Sequence, residues 1–151
     1  MTSVRESLAA YPGARVLLAE DDDEFRHIIA TALRRDGYEV VEARDGTEFV
    51  DLLACALSSG RLDREFDLII TDIRMPGYSG LDVLFGIHQT QGAPPVVVIT
   101  AFGDVETHER ARRFGSVGVL DKPFELDDLR MVVVNSLGER FRRRAPAPGS
   151  D

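Results

Sequence analysis

The residue types that could do chemistry in this sequence stand far apart along the chain but in matching places. Glu20 and Asp21, with Asp22 next, follow the apolar run Val16-Leu17-Leu18-Ala19; Asp72 follows Leu68-Ile69-Ile70-Thr71. Thr100 closes the β-branched run from Pro95, and Lys122 comes just after Val117 to Leu120. Short continuous apolar runs that give way abruptly to polar residues read as buried strands leaving a sheet. In open α/β sheets ligands bind outside the carboxyl ends of the strands, so three carboxylates, a hydroxyl and an ammonium are predicted to share one rim. Carboxylates that close cannot all stay ionised without a compensating cation. Lys122 supplies one positive charge and a hard divalent ion would supply the rest. Mg²⁺ fits best, since it takes oxygen ligands, keeps several waters, and uses one or two carboxylates plus a phosphate. A carboxylate beside Mg²⁺ can attack phosphorus to give an acyl phosphate, and Asp72, at the end of a central strand, is the natural nucleophile. Catalysis would then be charge stabilisation by Mg²⁺ and Lys122, with the Thr100 hydroxyl as an added donor.

The elements that must position these groups alternate strictly. After the first strand, Phe25, Ile28, Ile29, Ala32 and Leu33 recur at helical spacing up to Gly37. Tyr38 to Ala43 reads as a second, more polar strand, suited to a sheet edge, and Phe49, Leu52, Leu53, Ala56 and Leu57 give a second helix. The polar connector from Ser58 to Glu65 reads as a surface loop, as does the turn-rich stretch Met75 to Gly80. Helices are predicted from Gly80 to Gln89 and Asp104 to Arg113, and in a last segment that sets Leu126, Leu129, Val133, Leu137 and Phe141 on one face. Five strand and helix pairs imply a doubly wound α/β domain with a parallel sheet and right-handed crossovers. Residues 1–13 read as a leader, 14–141 as the domain and 142–151 as a basic, Pro-rich disordered tail.

At 151 residues the chain suits one domain with a full core. Its net charge of −8 argues against nucleic acid as a direct partner, because duplex binding is dominated by Lys and Arg neutralising phosphates. No apolar stretch is long enough to span a bilayer and the N-terminus lacks a signal-peptide core, so the expectation is a cytoplasmic protein. The single cysteine, Cys55, fits a reducing compartment and is expected to pack beside the second helix's apolar stripe.

The blocks Val16 to Asp22, Thr71 to Gly80, Val98 to Gly103 and Leu120-Asp121-Lys122-Pro123-Phe124 together resemble the receiver domains of bacterial two-component response regulators. The resemblance spans about residues 14–140 and has every signature block in order. It implies a CheY-like, flavodoxin-like (βα)5 fold with strand order 2-1-3-4-5. It further implies that Asp72 accepts a phosphoryl group from a sensor histidine kinase or histidine phosphotransfer protein. By the same resemblance Glu20, Asp21 and Asp72, with the Arg74 backbone carbonyl, hold Mg²⁺; Thr100 is the switch hydroxyl and Lys122 the phosphoryl-binding lysine. Arg74 and Phe102 resemble positions that influence hydrolysis of the acyl phosphate.

The chain departs from the family pattern at Val119, where many relatives carry an aromatic residue that swings inward, and in its long Ser58–Glu65 connector. Elsewhere, Asp22 and Asp23 are expected as helix caps or first-turn acids, Asp121 as a surface acid, Thr71 as a core residue, and His27, His88 and His108 on helix surfaces. Arg140 to Arg144 are expected as cations complementing a helix C-terminus. The helix from Asp104 has a thin apolar stripe of Val105, Ala111 and Phe114, so it is the expected moving part. The leading functional reading is a stand-alone receiver, monomer or weak dimer, that acts on a downstream protein target. A receiver belonging to a larger transcription regulator is the runner-up. An aspartate-nucleophile phosphatase would want a second general acid two residues after Asp72, where Arg74 stands. A flavin domain would want a phosphate loop where the acids Glu20 to Glu24 would repel a phosphate.

Overall fold

The computed structural model describes residues 10–101 and 105–144. Five parallel strands, β1 (Arg15–Ala19), β2 (Glu39–Ala43), β3 (Leu68–Asp72), β6 (Val96–Thr100) and β7 (Gly118–Asp121), form one sheet in the order β2-β1-β3-β6-β7. This is the predicted doubly wound order. β4 (Arg74–Met75) and β5 (Tyr78–Ser79) are a separate antiparallel hairpin. The helices are α1 (Asp23–Arg35), α2 (Gly46–Ser58), the single turn α3 (Leu62–Glu65), α4 (Gly80–His88), α5 (Val105–Arg113) and α6 (Leu126–Arg144).

Alternation along the strands divides the core into two layers. Val16, Leu18, Ile70 and Ile99 face α1 and α6 and pack with Ile29, Leu33, Leu129, Val133 and Leu137. Leu17, Ile69 and Val98 face α2, α4 and α5 and pack with Phe49, Leu53, Leu84, Ile87 and Ala111. All five residues of β3 and all five of β6 are buried, as expected of central strands, while β2 at the edge is mostly half-buried.

Several expectations are corrected by tertiary contacts. The Ser58–Glu65 connector is not an open loop: it ends in α3, which buries Leu62. Met75 to Gly80 is not a loop but the hairpin, turned by Pro76 and Gly77, the latter at φ 69° in the left-handed region glycine favours. Gly80 closes it against the sheet, since a Cβ there would lie 2.5 Å from Ile73 Cα. Cys55 is exposed rather than packed. Arg140 is buried, not a solvated helix-end cation, and one of its guanidinium nitrogens donates to the carbonyls of Asp63 and Phe66. Helix α6 continues through Arg144, so Arg142 to Arg144 are helical; residues 145–151 of the expected tail lie outside the described residues. Tyr11, placed in the leader, stacks on Phe141 with ring centroids 5.4 Å apart. Phe102 and Asp104 also lie outside the described residues.

One buried ion pair fastens α6 to the end of α1. Asp36, 1% exposed, accepts from Arg130 Nε and from a second guanidinium nitrogen, each at 2.7 Å. Removing one member of such a pair leaves an uncompensated buried charge. Arg130→Met is expected to lower stability by about 3 kcal/mol in urea denaturation, and the Asp36→Asn/Arg130→Met double variant to recover much of that loss. A loss in Arg130→Met no larger than a surface substitution gives would refute the role.

Candidate functional site

Strand register brings the predicted residues to one rim. Ala19 lies opposite Thr71, so Glu20 and Asp72 leave β1 and β3 side by side. Asp72 lies opposite Ile99 and Thr100 opposite Asp121, so Thr100 and then Lys122 stand one step further out. Glu20 is fully buried, Asp72 is 4% exposed and Asp21 is exposed. One carboxylate oxygen from each of these three lies within 4.8 Å of the others.

Lys122 is the counter-ion. Its ammonium donates to Asp72 Oδ2 at 2.8 Å and forms a short hydrogen bond to Glu20 Oε1. Asp72 Oδ1 accepts from the Arg74 backbone N–H at 2.8 Å, so both carboxylate oxygens are held and the side chain has one orientation. Burial pushes the Glu20 carboxyl up to about 7, helped by the Asp72 charge and opposed by Lys122. Burial works against the Lys122 ammonium, but its hydrogen bonds to Asp72 and Glu20 outweigh that and raise its pKa. Three clustered carboxylates against one ammonium leave negative charge uncompensated, and the donors are all hard oxygens. That set suits a hard divalent cation, and Mg²⁺ meets its preference for a few carboxylates with waters completing the octahedron.

The surroundings hold this set in place. Asp22 caps α1 as expected, its Oδ1 accepting from Phe25 N at 3.0 Å, and Asp23 pairs with Arg26 at 2.8 Å in the first turn. Thr71 is a buried residue, as expected, and its hydroxyl donates to the Asp72 carbonyl at 2.8 Å and shares a hydrogen bond with the Tyr78 hydroxyl at 3.1 Å. Burial pushes the Tyr78 phenol up to about 12, so it stays neutral and its ring fills the space over Gly46. Thr100 is fully buried at the end of β6, and Arg74 is exposed on the hairpin.

Three neighbours escaped the sequence reading. Arg26 is buried and donates to the Glu20 carbonyl at 2.9 Å while pairing with Glu42 at 3.1 Å. Its only signal was a charged residue on the inner side of an amphipathic helix. Phe25, read as part of that helix's apolar stripe, lies under the Lys122 ammonium, 4.9 Å from ring centroid to Nζ, and packs edge-on to Phe124. His108, expected on an open helix surface, joins α5 to the end of β7 through Asp121 Oδ1 at 2.9 Å. His27 and His88 are exposed on their helices as expected.

Comparison with known proteins fits this geometry. Residues 16–134 match the response regulator receiver domain family. The transcriptional regulatory protein PdtaR of Mycobacterium tuberculosis is 42% identical over 135 residues, covering 89% of this chain and 60% of PdtaR. The regulatory protein AtoC of Escherichia coli is 32% identical over 123 residues, covering 82% of this chain and 25% of AtoC. Among solved structures, the receiver domain of the Francisella response regulator 1452 superposes with a TM-score of 0.72 at 28% identity, covering 85% of this chain and 99% of that one. The chain thus spans three fifths or less of the length of these two curated relatives. It belongs to the receiver domain family of two-component response regulators.

Proposed function

We propose that Asp72 accepts a phosphoryl group from a phosphohistidine on a sensor histidine kinase or histidine phosphotransfer protein, and that the chain signals to a downstream protein by changing shape. The observation that carries this reading is the buried Asp72 carboxylate, gripped at one oxygen by Lys122 and at the other by the Arg74 N–H. A carboxylate oxygen of Asp72 forms a bond to phosphorus, the P–N bond of the donor breaks, and its electron pair stays on the imidazole nitrogen. In this reading Lys122 holds negative charge that develops on the phosphoryl oxygens, and Thr100, at the end of the strand beside Asp72's, offers a hydroxyl donor. Glu20, Asp21, Asp72 and the Arg74 carbonyl would hold Mg²⁺, which when bound neutralises phosphoryl charge. The chain acts as a stoichiometric acceptor that catalyses its own loading and loses the group to water, rather than as a turnover enzyme. Its place is the cytoplasm, and no helix of the described residues is long and apolar enough to cross a membrane.

The switch is assigned to α5 and β7. Within α5 only Ala111 is buried, Val105 is 74% exposed, and β7 is half-buried or exposed throughout. Few buried apolar contacts make a segment cheap to move. A second reading, a receiver working within a longer transcription regulator, is favoured by the greater length of PdtaR and AtoC. Immunoblotting of the native source with an antibody to this chain separates the two by mass.

Incubation with acetyl phosphate and Mg²⁺ is expected to add one phosphoryl group, seen by intact mass, to the wild type and none to Asp72→Asn; rapid hydrolysis over many turnovers without an adduct would point to the phosphatase instead. Mg²⁺ alone at about a hundred times its dissociation constant should stabilise the wild type by roughly 2.7 kcal/mol in thermal melts. Asp21→Asn should lose most of that shift, and an equal shift in both proteins would rule out the assigned ligands. Adding Mg²⁺ and beryllofluoride should move amide resonances of residues 105–121 more than those of α1; unmoved resonances there would sink the assigned switch.

A further inference from the structure

The opposite end of the sheet, where the strands begin, holds a cavity of about 490 Å³ that phosphoryl chemistry leaves unused. That is the size of small-molecule sites, which are apolar with a few convergent polar groups. Its floor is apolar: Leu84 and Ile87 from α4 and Val96 at the start of β6, all buried. Pro95 and Val117 form the wall, and Val117 is 53% exposed. The rim is the last turns of α6, with Arg140, Arg143 and Arg144. In a chain of net charge −8, three guanidiniums gather at one cavity, which Asp63 and Glu139 also line.

These arginines are incompletely compensated. Arg140 is 6% exposed; its Nε is buried without a hydrogen bond, 3.5 Å from Asp67 Oδ1. Burial lowers its pKa, helped by the neighbouring Arg144 charge and opposed by Asp67 and Asp63. Arg144 approaches the same Asp67 oxygen only to 3.6 Å, and Arg143 pairs with Glu139 at 2.8 Å on the exposed helix surface. Exposed pairs of this kind are worth little, so an anion from solution can replace them at small cost.

We propose that this cavity binds a small amphipathic anion, its apolar body on Leu84, Ile87 and Val96 and its carboxylate or phosphate head on Arg143 and Arg144. A guanidinium fork matches both heads with paired hydrogen bonds. Asp63 and Glu139 also line the cavity and compete for the arginines, so the head alone binds weakly and the apolar body is required. The site is independent of Asp72, since Val96 and Thr100 are opposite ends of β6.

The test titrates the full chain in Mg²⁺-free buffer with octyl phosphate and with octanoate, each below its micellar concentration, and with octyl glucoside and inorganic phosphate as headless and tailless controls. Saturable one-to-one binding of at least one amphipathic anion by calorimetry is expected, with amide shifts centred on residues 84–96, 115–117 and 136–144 and weaker binding of both controls. Which of the two heads binds tighter identifies the natural one. The Arg143→Gln/Arg144→Gln variant should bind roughly tenfold more weakly or worse. Ala93→Phe, which plugs the cavity from its wall, should also lose binding, and both variants should still be phosphorylated by acetyl phosphate. Absence of saturable binding, shifts centred on Glu20, Asp72 and Lys122, equal binding of octyl glucoside, or undiminished affinity in the arginine variant would each overturn the proposal.

Discussion

The acidic rim turns on one charge balance: the Glu20 and Asp72 carboxylates are both buried, and the Lys122 ammonium bonds to both. Two carboxylates in a medium of reduced dielectric repel strongly, and the ammonium bonded to both offsets that repulsion. The sheet order makes the remedy demanding. With strands about 4.8 Å apart, β7 is about 10 Å from β3 and about 14 Å from β1, so Lys122 has to reach back across β6. A flexible four-carbon stem ending in a compact charge can do this, and a planar guanidinium fork would meet two carboxylates on different strands less readily. The Phe25 ring beneath the ammonium and Phe124 beside that ring narrow the positions the stem can take. The lysine is therefore a structural cross-link between the two buried acids, and the clustered hard-oxygen donors around it suit a divalent cation.

The rest of the molecule divides into a fastened side and a loose one. On the α1 and α6 face, Arg130 locks to Asp36, Arg140 bonds the carbonyls at residues 63 and 66, and Tyr11 stacks on Phe141. On the other face, α5 rests on Ala111, on the Phe85–Phe114 ring contact at 5.6 Å and on the exposed His108–Asp121 bond. A transition between two packings needs an element whose contacts are few and replaceable. Asp121 and Lys122 are consecutive and link the two sides: one is tied to α5 and the other to Asp72.

Much of this was legible in the sequence because the carriers of the signal are local. Val16 to Ala19, Leu68 to Ile70 and Val96 to Ile99 are continuous apolar runs, the pattern expected of strands in a parallel sheet buried on both faces. The acids at their ends inherit their common location from the topology, so Glu20, Asp21, Asp72, Thr100 and Lys122 converge as their positions required. What failed to show depends on contacts between distant segments. Leu62 is a lone apolar residue in a polar stretch, and only its packing partners turn that stretch into α3. Arg140 looks like any helix-end arginine, because the carbonyls that accept its hydrogen bonds are more than seventy positions away. Cys55 and Val105 match helical apolar spacing yet are exposed, since a stripe defines a direction and the sheet's edges define how far burial extends along it.

Val119 shows how a family scaffold leaves room for a different route. The position lies in β7, half-buried, opposite Val98 and against the core layer of α2, α4 and α5. A β-branched side chain has one strongly preferred rotamer and little reach, so it cannot swing between an outer and an inner site as a Tyr or Phe can. Inward movement of Thr100 would then vacate space that no ring from β7 is available to fill. Under the proposed switch the compensation would come from a shift of the strand or of α5, which besides the buried Ala111 is attached by His108 to Asp121 and by Phe114 to Phe85.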